Sequence, residues 1–525
     1  VEKPEGPGTP RPSTFGALRR AGYRPRGIKD ELRENLFERL KEGDNPFPGI
    51  FGYDRTVLPA LHNAILARHD IILLGLRGQA KTRLLRSLVQ LLDEEIPAIA
   101  GSELNESPFA PITKYGRQIL KERGDETPIA WIPRSERYRE KLATPDVTIA
   151  DLIGDIDPIK AATQKRTYSD EEIIHFGIVP RTNRGIFAIN ELPDLQPRIQ
   201  VGLLNILEER DLQIRGFPIR IPLDILLVFS ANPEDYTNRG NIITPLKDRI
   251  SSQILTHYPD DVKTARAISD QEAWTSRNGP VEFEIPEYVK ELIEKIAFAA
   301  RESEFVDQSS GVSARMPISA LEILCSNLER RGVLHGEEKV FPRLCDLVAC
   351  LPAITGKVEV VYEGEQQGTE VIAKKLIAAP VGEFFKSKFP AVDSGRKTQR
   401  SRPVQTDEEE PAARTRSRFP AEEPEVVNPV YREILEWFAA GNSIEITDDS
   451  PFELHLQTLE QVPGLSRLAA EHFKPASRGE AALAMELVLE GLTQHLRLAR
   501  QDVDSRVSYK EMLKFNLVRQ RTPAN

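Results

Sequence analysis

Ile71-Ile-Leu-Leu-Gly-Leu-Arg-Gly-Gln-Ala-Lys-Thr82, followed directly by Arg83-Leu-Leu-Arg-Ser-Leu-Val-Gln-Leu-Leu92, decides how this chain is read. A short apolar run ends in a glycine-bearing loop, and Lys-Thr then opens a segment with leucines at helical spacing. Strand, loop and helix in that order form the setting of a phosphate-binding loop. Gly75 and Gly78 let the backbone of Leu76, Arg77, Gln79 and Ala80 curl so that successive N–H groups converge on an anion. The start of the helix adds its partial positive charge. Lys81 then suits the β- and γ-phosphates of ATP, and the Thr82 hydroxyl suits Mg²⁺. One position departs from the pattern G-x-x-x-x-G-K-[ST]: Ala80 stands where a second glycine belongs. Alanine is harmless there if its backbone is helical and costly if φ must be positive. On this loop alone, an ordinary strand-to-helix turn carrying a lysine remains the competing reading.

The whole chain sets the bounds. Its 525 residues are too many for one core and imply about three domains. A net charge of −10 offers no phosphate-tracking surface and argues against a nucleic-acid partner. Cys325, Cys345 and Cys350 fall in one region without C-x-x-C spacing or clustered histidines, so they read as core thiols in a reducing compartment. No apolar run approaches the roughly 18 residues that span a bilayer, and the N-terminus has no signal-peptide core. A cytoplasmic protein without membrane contact is the expectation.

Taken in order, residues 1–27 are rich in Pro, Gly and Arg and read as a flexible arm. An α/β domain is expected over 28–257. Helices over 28–40 and 54–67 lead into the strand and loop. The stretch 93–180 is too long for a structureless loop and must hold inserted elements. Gly185-Ile-Phe-Ala-Ile189 is a buried strand ending on Asn190 and Glu191, an apolar strand that presents an acid at its carboxyl end. A helix over 197–210 follows, and then a hairpin over 211–221 around Gly216. Leu223-Asp-Ile-Leu-Leu-Val-Phe-Ser-Ala-Asn232 is a second buried strand, ending on an amide. Residues 258–387 read as mostly helical. Residues 388–426 combine arginines and serines with an acidic block and few aliphatics, and cannot bury enough apolar surface to stay folded. Residues 427–525 return to helical apolar periodicity and read as a small interaction domain.

By Arg249 the order of motifs resembles the AAA+ ATPases, and within them the ATPase subunit of magnesium chelatase and the MoxR group. The motifs are the phosphate loop, Asp151-Leu-Ile-Gly-Asp-Ile-Asp157, Phe176-Gly-Ile-Val-Pro-Arg-Thr-Asn-Arg-Gly185, Ile186-Phe-Ala-Ile-Asn-Glu191, Ser230-Ala-Asn-Pro-Glu234 and Leu246-Lys-Asp-Arg-Ile250. The resemblance covers about residues 45–330. It implies an α/β AAA+ core, a parallel sheet flanked by helices, followed by a helical lid and the small C-terminal helical domain. It also implies roles. Lys81 and Thr82 resemble the Walker A pair, Glu191 the acid that polarises the attacking water, and Asn232 the sensor-1 amide. Arg249 is similar to an arginine finger that acts on a neighbouring subunit, which implies a hexamer-like ring. Arg315 is similar to a sensor-2 arginine, and 211–221 to the hairpin before sensor 1. Asn190 departs from the family's aspartate beside Mg²⁺ and offers a neutral acceptor in place of a charge.

Four functions follow from these readings. One is a ring ATPase that remodels or matures a client protein with a separate von Willebrand A-domain partner. A second is a genuine magnesium chelatase motor, against which Ala80 and Asn190 count. A third is a nucleotide-gated scaffold with little hydrolysis. A motor on DNA is the fourth, and the acidic balance speaks against it.

Overall fold

Five short runs form one sheet: β1 (Ile71–Leu74), β2 (Tyr138–Leu142), β3 (Gly185–Asn190), β4 (Ile225–Ala231) and β5 (Ser252–Leu255). Their order is β5-β1-β4-β3-β2, and every pair is parallel. The computed structural model describes residues 11–156, 173–213, 220–232, 241–393, 427–503 and 506–512. Every residue of β1, β3 and β4 is buried, as a parallel sheet covered on both faces requires. Strand alternation sorts them between two cores. Ile72, Leu74, Phe187, Ile189, Leu227 and Phe229 face one, closed by Leu152, Leu195 and Leu203. Ile71, Leu73, Ile186, Ala188, Leu226 and Val228 face the other, closed by helices Ile28–Glu42, Val57–Leu66 and Lys81–Ser87. Each such side chain contributes about 1.5–3 kcal/mol by leaving water.

The edge strand β2 has no apolar signature because it is paired on one side only, with β3. Its alternating charges stay accessible, and Glu140 takes Arg86 Nε at 2.9 Å. The inserted stretch holds an antiparallel pair, Glu95–Ile99 with Ile129–Pro133, and a helix Lys114–Arg123. The predicted hairpin over 211–221 forms strands Asp211–Gln213 and Arg220–Pro222; its tip lies outside the described residues. The predicted helix over 197–210 is two shorter ones, Pro197–Gly202 and Leu204–Glu208.

The expected arm is docked where it is described. Thr14 caps helix Phe15–Arg20, Leu18 is buried, and Phe15 meets Phe109 edge to face at 5.1 Å. Ile129 N–H donates to Ser13 O at 2.9 Å and Phe15 N–H to Thr127 O at 2.9 Å. A composition rich in Pro and Arg hid two apolar anchors, Phe15 and Leu18, three residues apart on one helical turn.

The chain divides into two compact units, residues 1–264 with 309–313, and residues 265–308 with 314–525. The second is mainly helical, and 427–512 does not stand apart within it. Helix Arg478–Gln494 packs on helix Thr369–Lys388 so closely that a Cβ on Gly491 would lie 2.5 Å from the Phe385 ring. The cause is legible in burial. Residues 482–492 are buried without interruption, and a helix buried all round needs cover on every side, with partners for its carboxylates: Glu486 takes Leu344 N–H at 2.8 Å and Glu490 takes Arg500 Nη1 at 2.7 Å. The C-terminal region also carries a three-stranded antiparallel sheet, Ile444–Thr447, Arg506–Glu511 and Leu498–Val503, which the helical reading did not anticipate. Of the predicted linker over 388–426, residues 394–426 lie outside the described residues, while Phe389 and Val392 at its start are buried and Asp393 bridges to Val427.

Candidate active site

Because β1, β4 and β3 are neighbours, whatever leaves their carboxyl ends lies side by side, where α/β sheets bind ligands. Those groups are the loop 75–80, Asn232, and the pair Asn190–Glu191.

The loop is held from outside its own sequence. Gly75 N–H donates to Ala231 O at 3.2 Å. A Cβ on Gly75 would lie 2.0 Å from Thr256 Oγ1 and 2.1 Å from Gln79 Oε1, so no larger residue fits. The Thr256 hydroxyl sits 2.8 Å from Gln79 Oε1, and Tyr53 OH donates to Gln79 O at 2.8 Å. Gln79 therefore faces inward, and only its backbone is left for a ligand. Arg77 reaches Ser310 Oγ at 2.5 Å, while Tyr258 OH donates to Arg77 O at 2.8 Å. Gly78 has φ +74° and Ala80 φ +55°. Ala80 thus falls on the costly branch, with a left-handed backbone that penalises a Cβ by about 1 kcal/mol.

Helix Lys81–Ser87 begins at once. The Lys81 ammonium donates to the carbonyls of Gly75 and Leu76, the latter at 2.8 Å, and so lies across its own loop. Thr82 Oγ1 is 3.5 Å from Asn190 Oδ1, which ties the loop to β3. Glu191 is exposed and left-handed, with φ +56° and ψ +48°. A non-glycine residue in that region costs on the order of 1–3 kcal/mol, and such strain clusters at functional sites. Asn232 is 7% exposed, and its buried Oδ1 has no hydrogen-bond partner among the described residues. Leaving an acceptor so costs about 1–3 kcal/mol, a penalty that a bound ligand or water removes.

Gly75 to Thr82, Asn190, Glu191 and Asn232 are thus brought together. Arg249 is held elsewhere in the same unit, at the end of helix Thr244–Arg249. All three of its guanidinium nitrogens are engaged: Nε with Glu208 at 2.7 Å, Nη2 with Glu208 at 2.6 Å, and Nη1 with Pro245 O at 3.0 Å. Arg315 is the first residue of helix Arg315–His335, in the second unit.

The cradle suits a triphosphate: two glycines, a left-handed turn and an ammonium. For Mg²⁺ the Thr82 hydroxyl oxygen fits as a ligand beside phosphate oxygens. Asn190 fits less well, because its Oδ1 already takes Ser230 Oγ at 3.0 Å as well as Thr82. Among the described residues, no group of three His, Cys, Asp or Glu side chains is placed to hold a metal ion. Sequence reasoning missed Tyr53, Thr256 and Ser310, and it quoted Ser230 within a motif without giving it a role. The first three are long-range partners without a local signal. Ser230 had one: it breaks the apolar run two residues before Asn232, on the same side of the strand.

No protein-family model matches the chain. It is 27% identical over 265 residues to the magnesium-chelatase subunit ChlI of Nicotiana tabacum, covering 49% of this chain and 57% of that protein. It is 29% identical over 209 residues to ChlI-1 of Arabidopsis thaliana, covering 39% and 46%. The chain thus spans about half the length of the curated relatives it matches. A structure of BchI with BchD of magnesium chelatase overlaps 61% of this chain and 98% of that chain, at 19% identity and a TM-score of 0.32. At that score the overlay carries no weight, and the fold rests on the sheet order and loops above.

Proposed function

We propose that this chain, an AAA+ protein of the magnesium-chelatase type by its fold and its relatives, binds ATP with Mg²⁺ at the loop 75–82 and hydrolyses it slowly. The observation that supports this most is the convergence of Thr82, Asn190, Glu191 and Asn232, whose Oδ1 has no partner among the described residues, on one end of three adjacent strands. In this reading the loop N–H groups and Lys81 neutralise the phosphates. The Lys81 ammonium exchanges two neutral carbonyls for charged oxygens, a stronger bond. Glu191 accepts the proton of the attacking water, and Asn232 Oδ1 takes that water's second hydrogen, which would satisfy the buried acceptor. Mg²⁺, held by Thr82 and the nucleotide, supplies charge compensation.

Arg249 has its role across a subunit boundary in this reading, so the active form is a ring and the Glu208 pair is its resting state. Arg315 would sense nucleotide from the lid. A client protein and a separate von Willebrand A-domain partner follow from the sequence resemblance. A genuine chelatase motor is the same reading with a porphyrin client. The scaffold reading draws on Asn190, whose amide carries no charge for the metal.

The test is ATP binding by the purified chain beside Lys81→Ala. The substitution is expected to weaken affinity at least about tenfold, the size of one hydrogen bond to a charged group. Equal affinity in the two proteins would rule the site out.

A further inference from the structure

Ser230 is buried, 2% exposed, and makes two hydrogen bonds that meet at the acidic end of β3. It accepts the Glu191 N–H at 3.3 Å. Its own proton goes to Asn190 Oδ1 at 3.0 Å. In this arrangement Asn190 presents its carbonyl oxygen to Ser230 and its NH₂ to the other side. Thr82 Oγ1, 3.5 Å away, donates to the same oxygen. Both lone pairs of Oδ1 are then committed, and the free arm of the amide holds only donors. A water carried by Mg²⁺ on Thr82 would bring O–H donors of its own and would find no acceptor on that arm.

We infer that Ser230 is a positioning residue that fixes the Asn190 amide in the orientation unable to accept from a hydrated Mg²⁺, which leaves the metal to Thr82 and the nucleotide and lowers what Mg²⁺ adds to nucleotide binding. The inference rests on the ATP site proposed above and adds its regulation. An aspartate at this position would keep one oxygen on Ser230 and Thr82 and still offer the other. The two arms of a carboxylate are alike, and those of an amide are not. Ser230 therefore matters to metal response only while residue 190 is asparagine.

That asymmetry is the experiment. ATP affinity of the full chain is measured with a fluorescent ATP analogue, in EDTA and in saturating Mg²⁺, for wild type, Asn190→Asp, Ser230→Ala, Ser230→Thr and Asn190→Asp/Ser230→Ala. Wild type and Ser230→Thr are expected to change less than about threefold on adding Mg²⁺. Asn190→Asp is expected to gain about tenfold, one hydrogen bond to a charged group. Ser230→Ala frees the amide to turn its oxygen outward and is expected to gain several-fold. The double variant is expected to match Asn190→Asp. Two outcomes overturn the inference: a wild type that already gains tenfold from Mg²⁺, or a Ser230→Ala effect equal in the asparagine and aspartate backgrounds, as a merely structural serine would give. Thermal melting of each variant separates a fold defect from a change in metal response. If Lys81→Ala binds the analogue as wild type does, the ATP site itself falls, and this inference with it.

Discussion

At Ala80 a methyl group occupies a left-handed turn, φ +55°, that glycine adopts without penalty. Ala80→Gly is therefore expected to raise unfolding free energy by up to about 0.6 kcal/mol, after the greater freedom of glycine in the unfolded chain is subtracted. Urea denaturation checks it, and a loss of stability would mean the loop adopts another turn. A second single-residue prediction concerns Glu294, buried on helix Glu287–Glu302 with Ser269 Oγ at 2.5 Å. Burial pushes its carboxyl up to about 7. Between its usual range and that value the folded state holds a proton that the unfolded state has lost, so stability falls as pH rises through this window and levels off above it. Glu294→Gln should flatten the melting temperature between pH 5 and 8 by an amount on the order of 2 kcal/mol. An unchanged pH profile would contradict this. At this scale the sequence carried the residues with local signals, Gly75 through Thr82, Glu191 and Asn232. It did not carry Thr256 or Tyr53, whose contacts to Gln79 span 177 and 26 positions.

Among elements, helix Ile28–Glu42 is fastened to the sheet by an ion pair rather than by apolar periodicity alone. Arg137 Nη1 and Nη2 grip Glu31 at 2.7 and 2.6 Å, with side chains 1% and 3% exposed. Arg137 Nε donates to Arg184 O at 2.8 Å, which ties the start of β2 to the start of β3. Removing one charge strands the other, so Glu31→Gln is expected to cost about 3–5 kcal/mol, measured by urea denaturation. A cost below about 1 kcal/mol would show the pair to be solvated. Neither residue stood out in the sequence, because a buried pair joins positions 106 apart and each reads alone as surface charge. The buried strands were legible for the opposite reason. β1, β3 and β4 are apolar without alternation, which only a sheet covered on both faces tolerates.

Over the whole molecule, the composition break at 388–426 suggested a separate C-terminal domain, yet 427–512 packs on the lid helices. Gln494 Nε2 donates to Ala378 O at 2.8 Å, and helix Arg478–Gln494 has part of its cover there. A linker in sequence does not imply separation in space, because composition reports what a segment can bury and not what its neighbours bury against. A chain cut by protease within 394–426 is therefore expected to elute as one particle in gel filtration. Immediate separation of the two pieces would contradict it. No helix among the described residues is long and apolar enough to cross a membrane. The proposed ATP chemistry lies at the ends of β1, β3 and β4, and its most direct measurement is steady-state ATP turnover with Mg²⁺ beside Glu191→Gln. The expected result is slow turnover that the substitution abolishes while ATP binding persists. Turnover equal in the two proteins would contradict the assignment of Glu191 and, with it, the active site proposed here.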